Sequence, residues 1–445
     1  MRTAVVLFTR DLRVHDNPTV VAAVAAAETV LPLFVVDDGI RGTRYGAAAN
    51  RGAFLLESLA DLDTSLRKRG AALTVRRGEV VAETVRITRE IGAEAVFATA
   101  DVSPYARERE RRLAGELDLR LVEGHFVVPP GEIAPAGRDH YLVFSPYCRA
   151  WSDVPSENVL GAPRRLRLPD GYSPSLLPGP RIASPTPGGE TSGRARMTNW
   201  LRTKLDTYAT GHDALADDDT SRLSPYLHFG CISARELAVK ACETGGNAFV
   251  RQLCWRDFYA QLLSANPHTQ TDDLRSRGDL WRDDPDALAA WKAGLTGYPL
   301  VDAGMRQLAT EGWMHNRARL VTASFLVKHL GIDWREGARH FFDLLVDGDV
   351  AQNVGNWQWV AGVGTDTRPN RVFNPVAQAR KLDPEGAYVR RWVPELADVS
   401  APAVFEPGGR WKGYPVPIVD HAAAVSAFRR RRGLDASTRR PGGRG

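Results

Sequence analysis

Residues 4–36 read AVVLFTRDLRVHDNPTVVAAVAAAETVLPLFVV. A β-branched apolar run at 4–8 gives way to a polar loop, to Asn17-Pro18, to an Ala/Val-rich stretch and then to a second β-branched run at 30–36. Asn followed by Pro is a helix-start signal. The Asn side chain caps a free N–H, and Pro has none to leave unpaired. Strand, helix and strand in immediate succession form a crossover unit with parallel strands. Working outward, 72–75, 95–97 and 119–122 read as three more strands, and 46–69, 79–91 and 104–117 carry helical periods. The expected fold class is therefore α/β followed by all-α, opening with a doubly wound, Rossmann-like parallel sheet over residues 1–128. Neither G-x-G-x-x-G nor G-x-x-x-x-G-K-[ST] occurs anywhere, which excludes the standard dinucleotide fingerprint and the P-loop.

Beyond the sheet, residues 129–196 crowd Pro and Gly together, as in Pro129-Pro130-Gly131 and Pro178-Gly179-Pro180, and read as a connector. Residues 197–428 show helical patterns with almost no strand signal, and ten of the eleven Trp lie at or beyond position 200. Most such indoles are core. Their buried N–H groups nevertheless need partners, and so lopsided a distribution favours ring-stacking or redox work. The net charge of +5 is misleading, because residues 429–445 hold seven Arg and one Asp and the remaining chain sums to −1. The pI near 9.1 thus reports a basic, disordered tail rather than a basic body. Four cysteines without a C-x-x-C pair exclude a disulfide framework and a structural metal, so no metal is expected. The absence of a leader-like stretch and of any run of about 18 apolar residues points to a soluble, cytoplasmic protein.

Five segments, in order along nearly the whole chain, resemble the photolyase/cryptochrome flavoproteins, most closely the class I cyclobutane pyrimidine dimer photolyases. They are TRDLRVHDNP at 9–18, TSRLSPYLHFG at 220–230, CWRDFY at 254–259, GWMHNRAR at 312–319, and DGDVAQN at 347–353 running into Trp357-Gln358-Trp359. The resemblance implies a helical domain that binds FAD and DNA. Tyr208, Thr220, Ser221, Arg222, Leu223, Ser224 and Phe249 would hold the cofactor, together with Trp313, Arg319, Asp347, Gly348 and Asp349. The residues themselves agree on one point: Ser224-Pro225 reads as a capped helix start, whose free N–H groups suit a pyrophosphate. By the same resemblance Asn353 lies beside the flavin N5, where an amide adapts to changing protonation. Trp281, Trp334 and Trp357 match an electron relay. Trp255 and Trp359 match the walls of a pocket for a flipped dimer, with Asn316 against the lesion. His212, Gln252, Arg256, Arg317 and Gln378 match DNA contacts. Arg368, Arg371, Arg380, Lys381, Arg390 and Arg391 form a local basic run.

Three positions depart from the pattern: Gln252 replaces the usual Glu, Leu320 the usual Met, and His212 the usual Arg. An amide can still donate to a pyrimidine carbonyl but cannot change protonation, so Gln252 predicts weakened repair. Gln at this position also occurs in (6-4) photolyases, yet those need two adjacent His, and here the pair is His315-Asn316. The implied activity is light-driven repair of cyclobutane dimers by electron transfer from reduced FAD. The alternative is a cryptochrome-like blue-light photoreceptor, with (6-4) repair behind it. Arg51, Asp101 and Arg107 resemble the antenna site that holds a deazaflavin (8-HDF) or flavin rather than a folate. The implied partner is dimer-containing DNA, and the implied state a monomer.

Overall fold

The computed structural model describes residues 1–43, 48–155, 158–174, 184–217 and 219–434. The helix start expected at residue 46, the Pro178-Gly179-Pro180 cluster and the Arg-rich tail beyond 434 lie outside them. Two compact units share the chain. The first comprises Met1–Thr210, Thr220–Gln270 and Leu345–Gln352, and the second Gly211–Asp219, Thr271–Leu344 and Asn353–Gly445.

The first unit is built on β1 (Thr3–Phe8), β2 (Thr29–Asp37), β3 (Thr74–Gly78), β4 (Ala95–Thr99) and β5 (Leu119–Val122). They form one parallel sheet of order β3-β2-β1-β4-β5, which is the expected doubly wound arrangement. Its helices are α1 (Pro18–Ala26), α2 (Asp38–Arg41), α3 (Ala49–Arg67), α4 (Val80–Glu90) and α5 (Pro104–Ala114). Strand alternation fills both faces. Val5, Leu7, Leu31 and Leu33 pack with Val81 and Ile87 of α4, whereas Ala4, Val6, Val30 and Phe34 join Val20 of α1 and Leu59 and Leu62 of α3. The Asn17 side chain caps α1 by accepting the Val20 N–H at 3.1 Å, as its position promised. The third strand starts later than expected, because the Asp63 carboxylate takes the Leu73 N–H.

The connector contains a helix that its Pro/Gly content concealed, α6 (Phe144–Ser152). The helical stretch expected from residue 197 begins earlier, in α7 (Glu190–Thr203). The Glu190 side chain accepts the Val14 and His15 N–H groups and so fixes that end of the helix. There follow α8 (Tyr208–Gly211), α9 (Ser224–His228), α10 (Ala234–Glu243) and α11 (Asn247–Ala265). Buried Asp257 on α11 accepts the Val127 and Val128 N–H groups and the Trp151 indole N–H, each at 3.0 Å. After α9, Gly230 has φ +63°, and a Cβ there would lie 1.8 Å from the Arg10 carbonyl oxygen, so only glycine fits.

The second unit carries α12 (Pro285–Ala293), α13 (Pro299–Glu311), α14 (Asn316–Ser324), a π-helical turn at Phe325–Leu330 and α15 (Trp334–Leu344). Then come α16 (Val350–Ala361), whose first turn belongs to the first unit, α17 (Pro375–Leu382), α18 (Ala387–Trp392) and α19 (His421–Arg431). Among the described residues no strand follows β5, matching the all-α expectation. Lys328 in the π-helical turn is buried, with its ammonium donating to the Ala361 and Pro369 carbonyls. Burial brings its pKa down to about 7.

Candidate active site

In the first unit, residues 220–224, expected to hold phosphates, have a backbone conformation the sequence did not show. Arg222 has φ +50°, rare for a residue with a Cβ, and Leu223 follows in the right-handed region. Left- then right-handed residues turn successive N–H groups toward one point, making an anion-binding nest. The Leu223 N–H is braced by Ser221 Oγ at 3.3 Å, and the Ser221 carbonyl accepts from Arg196 Nε at 2.7 Å. Thr220 Oγ1 is buried with no hydrogen-bond partner among the described residues. One expectation is corrected here. Ser224 does not cap α9; it is that helix's first residue, and Leu223 holds the cap position. The Ser224 hydroxyl instead donates to Asp347 Oδ2 at 2.6 Å.

Asp349, two residues on, is held from several sides. Arg10 Nη1 donates to Asp349 Oδ2 at 2.6 Å, the Gln352 N–H reaches Oδ1 at 3.0 Å, and His228 Nδ1 lies 3.9 Å from Oδ2. Burial alone would raise this carboxyl. The Arg10 charge and then the nearby His228 ring hold it well below the usual carboxylate range. Arg10 also pairs with Asp101 at 3.1 Å; burial works against that carboxyl too, but Arg10, His125 and Arg109 bring it down to about 2. His125 is pushed down to about 3, chiefly by burial. Arg10 and His228 lie inside quoted motifs but were not singled out by sequence reasoning. A buried guanidinium is visible only once its acids converge on it.

Tyr208 and Phe249 are buried together, with ring centroids 5.4 Å apart, and both pack on Trp200. Gly348 lies between the two acids in sequence. Gln252 is exposed on α11, one turn before half-buried Trp255. Trp255 stacks face to face on Phe144 of α6, at 3.5 Å between centroids and 4° between planes, and the Arg251 guanidinium lies 4.7 Å from the Phe144 ring. Free aromatic pairs avoid such a sandwich, so the scaffold imposes it and fixes the Trp255 plane. Buried beneath, Arg256 Nη1 donates to the His125 carbonyl at 2.7 Å. The three antenna candidates are all engaged: Arg51 Nη2 with the Leu345 carbonyl at 2.5 Å, Asp101 with Arg10, and Arg107 with the Ser264 carbonyl and hydroxyl. Arg109, nearby on α5, keeps Nε and Nη2 buried without hydrogen-bond partners among the described residues, its Nη2 lying 3.6 Å from Glu110 Oε1.

In the second unit, Asn353 is buried on α16, its amide donating to the Ala338 carbonyl at 3.0 Å, which fixes the side-chain orientation. Trp313 is buried 6.4 Å from the His315 ring, and Arg319 Nε donates to the Met314 carbonyl at 2.8 Å. Asn316 opens α14, where His315 Nδ1 accepts the Arg317 N–H. Arg317 grips Asp213 with two hydrogen bonds, of 2.5 and 2.9 Å, and His212 Nε2 meets the same carboxylate at 3.1 Å. Asp213 was not foreseen. Trp359 is half-buried with Arg371 5.6 Å from its ring, and Gln378 lies on α17.

Of the three relay candidates, Trp357 is 2% exposed and Trp334 1%, whereas Trp281 is half-buried beside strongly exposed Leu280. Trp357 lies 5.0 Å from Phe341 and 6.1 Å from Trp291, an indole that sequence reasoning passed over as core. Gly337 gives Trp357 its room, since a Cβ there would lie 2.1 Å from the indole Cη2. Trp334 Nε1 donates to Asp273 at 2.9 Å.

Comparison with known proteins identifies the family. Residues 4–164 match the family model described as DNA photolyase, and residues 249–433 the one described as FAD binding domain of DNA photolyase. The deoxyribodipyrimidine photo-lyase of Streptomyces griseus is 52% identical, over 98% of this chain and 100% of that relative. Among solved structures, Synechocystis cryptochrome superposes with a TM-score of 0.90 at 28% identity, covering 97% of this chain and 99% of the other. An archaeal photolyase from Sulfolobus tokodaii with two FAD molecules gives 0.88 at 32%, covering 97% and 100%. No helix among the described residues is long and apolar enough to cross a membrane. With both family models in register and a relative more than half identical end to end, the chain belongs to the DNA photolyase family.

Proposed function

We propose that this protein repairs cyclobutane pyrimidine dimers in DNA, driven by light and dependent on FAD. The observation that carries the reading is the cradle at 220–224, where a nest, a buried hydroxyl without a partner and a Ser224–Asp347 hydrogen bond fit a ribityl-pyrophosphate. When bound, FAD supplies light-driven one-electron chemistry, and the net reaction is a lyase rather than a redox conversion. What the chain contributes is placement and electrostatics. Thr220 offers a hydroxyl and Arg222 a backbone donor, while Ser221 braces the Leu223 N–H and Ser224 holds Asp347. Asp349, kept ionised by Arg10, offers a fixed negative charge. Asn353 presents an amide whose orientation Ala338 sets. In the first unit Trp255, with its ring plane fixed by Phe144, offers an aromatic face for a flipped base, and in the second Trp359 offers one of its own. Asn316, Arg317, His212, Arg256 and Gln378 are assigned to the DNA side, and Trp357, Trp334 and Trp281 to the relay.

A second chromophore of deazaflavin or flavin type is part of the proposal. The Arg109 guanidinium, paired with Glu110 at 3.6 Å beside Asp101 and Arg107, suits a ligand bearing carbonyl or acidic oxygens. Denaturing the purified protein and identifying the released chromophores by fluorescence and mass tests this directly.

The deciding experiment is blue-light repair of a thymine-dimer oligonucleotide by chemically reduced protein, with a dark control and a (6-4) oligonucleotide alongside. Light-dependent loss of the cyclobutane dimer alone is expected. Failure on both lesions, with FAD bound and photoreducible, would replace repair by the photoreceptor reading, which exposed Gln252 and the likeness to a cryptochrome favour. Trp357→Phe should cut photoreduction of oxidised FAD more than tenfold while sparing repair by chemically reduced protein. Loss of both together would show that position 357 is structural.

A further inference from the structure

The relay candidate Trp334 carries two opposed charges. The Arg335 guanidinium lies 4.7 Å from the centre of its ring, and the Asp273 carboxylate accepts its indole N–H at 2.9 Å. The same carboxylate oxygen also accepts from Arg335 Nη2 at 2.9 Å. Arg335 is fixed further, by Asp333 at 3.1 Å and by the Thr271 carbonyl. The indole is 1% exposed, the Asp273 side chain 13% and the Arg335 side chain 30%, so solvent screens the cation more than the carboxylate.

An indole that passes an electron onward carries a positive charge until it is refilled. A cation fixed 4.7 Å from the ring opposes that charge, and a carboxylate on the N–H stabilises it. We infer that Asp273 is a positioning residue for electron transfer, offsetting Arg335 and making Trp334 oxidisable. The inference rests on the relay reading above. In the step concerned, one electron leaves Trp334 for oxidised Trp357, the indole proton stays in its hydrogen bond to Asp273, and one electron from Trp281 refills the ring. An external thiol then reduces Trp281. No bond breaks, and no proton leaves the pair.

The assay uses the full chain with bound FAD, blue flashes, dithiothreitol as external donor, and transient absorption to identify which indole is oxidised. Asp273→Asn keeps a hydrogen-bond acceptor but removes the charge and exposes the ring to Arg335. It should lower the photoreduction yield at least tenfold and leave the oxidised indole signal as short-lived Trp357. Arg335→Met in that background should recover most of the yield, and Arg335→Met alone should not reduce it. Asp273→Asn protein with wild-type yield and wild-type radical lifetimes would overturn the inference, and so would a loss of yield in Arg335→Met alone. If Asp273→Asn fails to fold, the single Arg335→Met variant still decides. If instead Trp357→Phe photoreduces normally, the relay reading falls; the Asp273 and Arg335 results are then compared with Trp334→Phe to show whether any flow passes through this ring.

Discussion

Gly337→Ala tests the packing of the relay's innermost candidate, and the geometry sets its size. The added methyl would lie 2.1 Å from Trp357 Cη2, 2.5 Å from Cζ3 and 2.7 Å from Leu326 Cδ2. Carbon atoms rest at about 3.5–4.0 Å, so the indole would have to retreat by roughly 1.5 Å. It has nowhere to go. Trp357 is 2% exposed, with Phe341 5.0 Å and Trp291 6.1 Å from its ring centre. Overpacking of this kind costs about 1–3 kcal/mol, and so severe a contact belongs at the upper end. Replacing Gly by Ala inside a helix returns about 1 kcal/mol, leaving a net loss of about 2 kcal/mol. Thermal unfolding of the purified protein should therefore begin about 2 °C lower, at about 1 °C per kcal/mol for a chain of this length. The sharper check is a double-mutant cycle. Phe lacks the outer indole carbons, so in the Trp357→Phe background Gly337→Ala should become neutral or stabilising, a coupling of about 2 kcal/mol or more. If Gly337→Ala raises stability in the wild-type background, helix propensity has won and the contact argument is wrong.

Asp257→Asn leaves an amide oxygen for the three donors that converge on Oδ2 but sets its NH2 against Arg256 Nη1 at the Oδ1 position, and should cost about 1–3 kcal/mol, read from denaturant midpoints. Burial raises the Asp257 carboxyl from its ordinary 3.8 to about 6 despite Arg256 and its N–H partners. The folded state therefore binds this proton more tightly than the unfolded chain does. Its contribution to stability is full below about pH 4 and lost as pH rises through 6, a change of about 3 kcal/mol. The variant should lack that slope, and an identical pH profile in both proteins would count against it. Gln252→Glu restores a titratable group at an exposed position before Trp255 and should raise dimer repair per photon absorbed; an unchanged or lower yield would remove this account of the departure.

Local signals in the sequence were strong where they rested on backbone chemistry. Pro18 opens α1 as Asn17-Pro18 required, and 119–122 is a strand to the residue. The sheet was legible because buried parallel strands demand unbroken β-branched runs. Helix α6 was hidden because Phe144–Ser152 is short and lies in Pro- and Gly-rich sequence. Ser224 misled for a different reason: its hydroxyl answers to Asp347, 123 positions away, rather than to its own helix. Trp291, Phe144, Asp213 and Asp273 went unmarked because each acts only through a ring or charge brought to it by folding. The motif segments put forward Asn353, Trp357 and the acids by residue type, and folding adds what a motif lacks, their partners Ala338, Phe341, Ser224 and Arg10.

The first unit claims Leu345–Gln352, and that has a consequence for biosynthesis. Arg51 finds the Leu345 carbonyl, Ser224 finds Asp347 and Arg10 finds Asp349 only after some 340 residues have been made. At about 5–20 residues per second, ribosomes need roughly 20–70 s to supply that last octapeptide. Until then the N-terminal sheet carries Arg10 with one of its two acids, and the cradle at 220–224 lacks Asp347. Nascent chains paused or truncated before residue 345 should thus hold a formed sheet beside an open, protease-sensitive cradle. Completion of the proposed cofactor cradle is tied to the arrival of the same segment that begins α16.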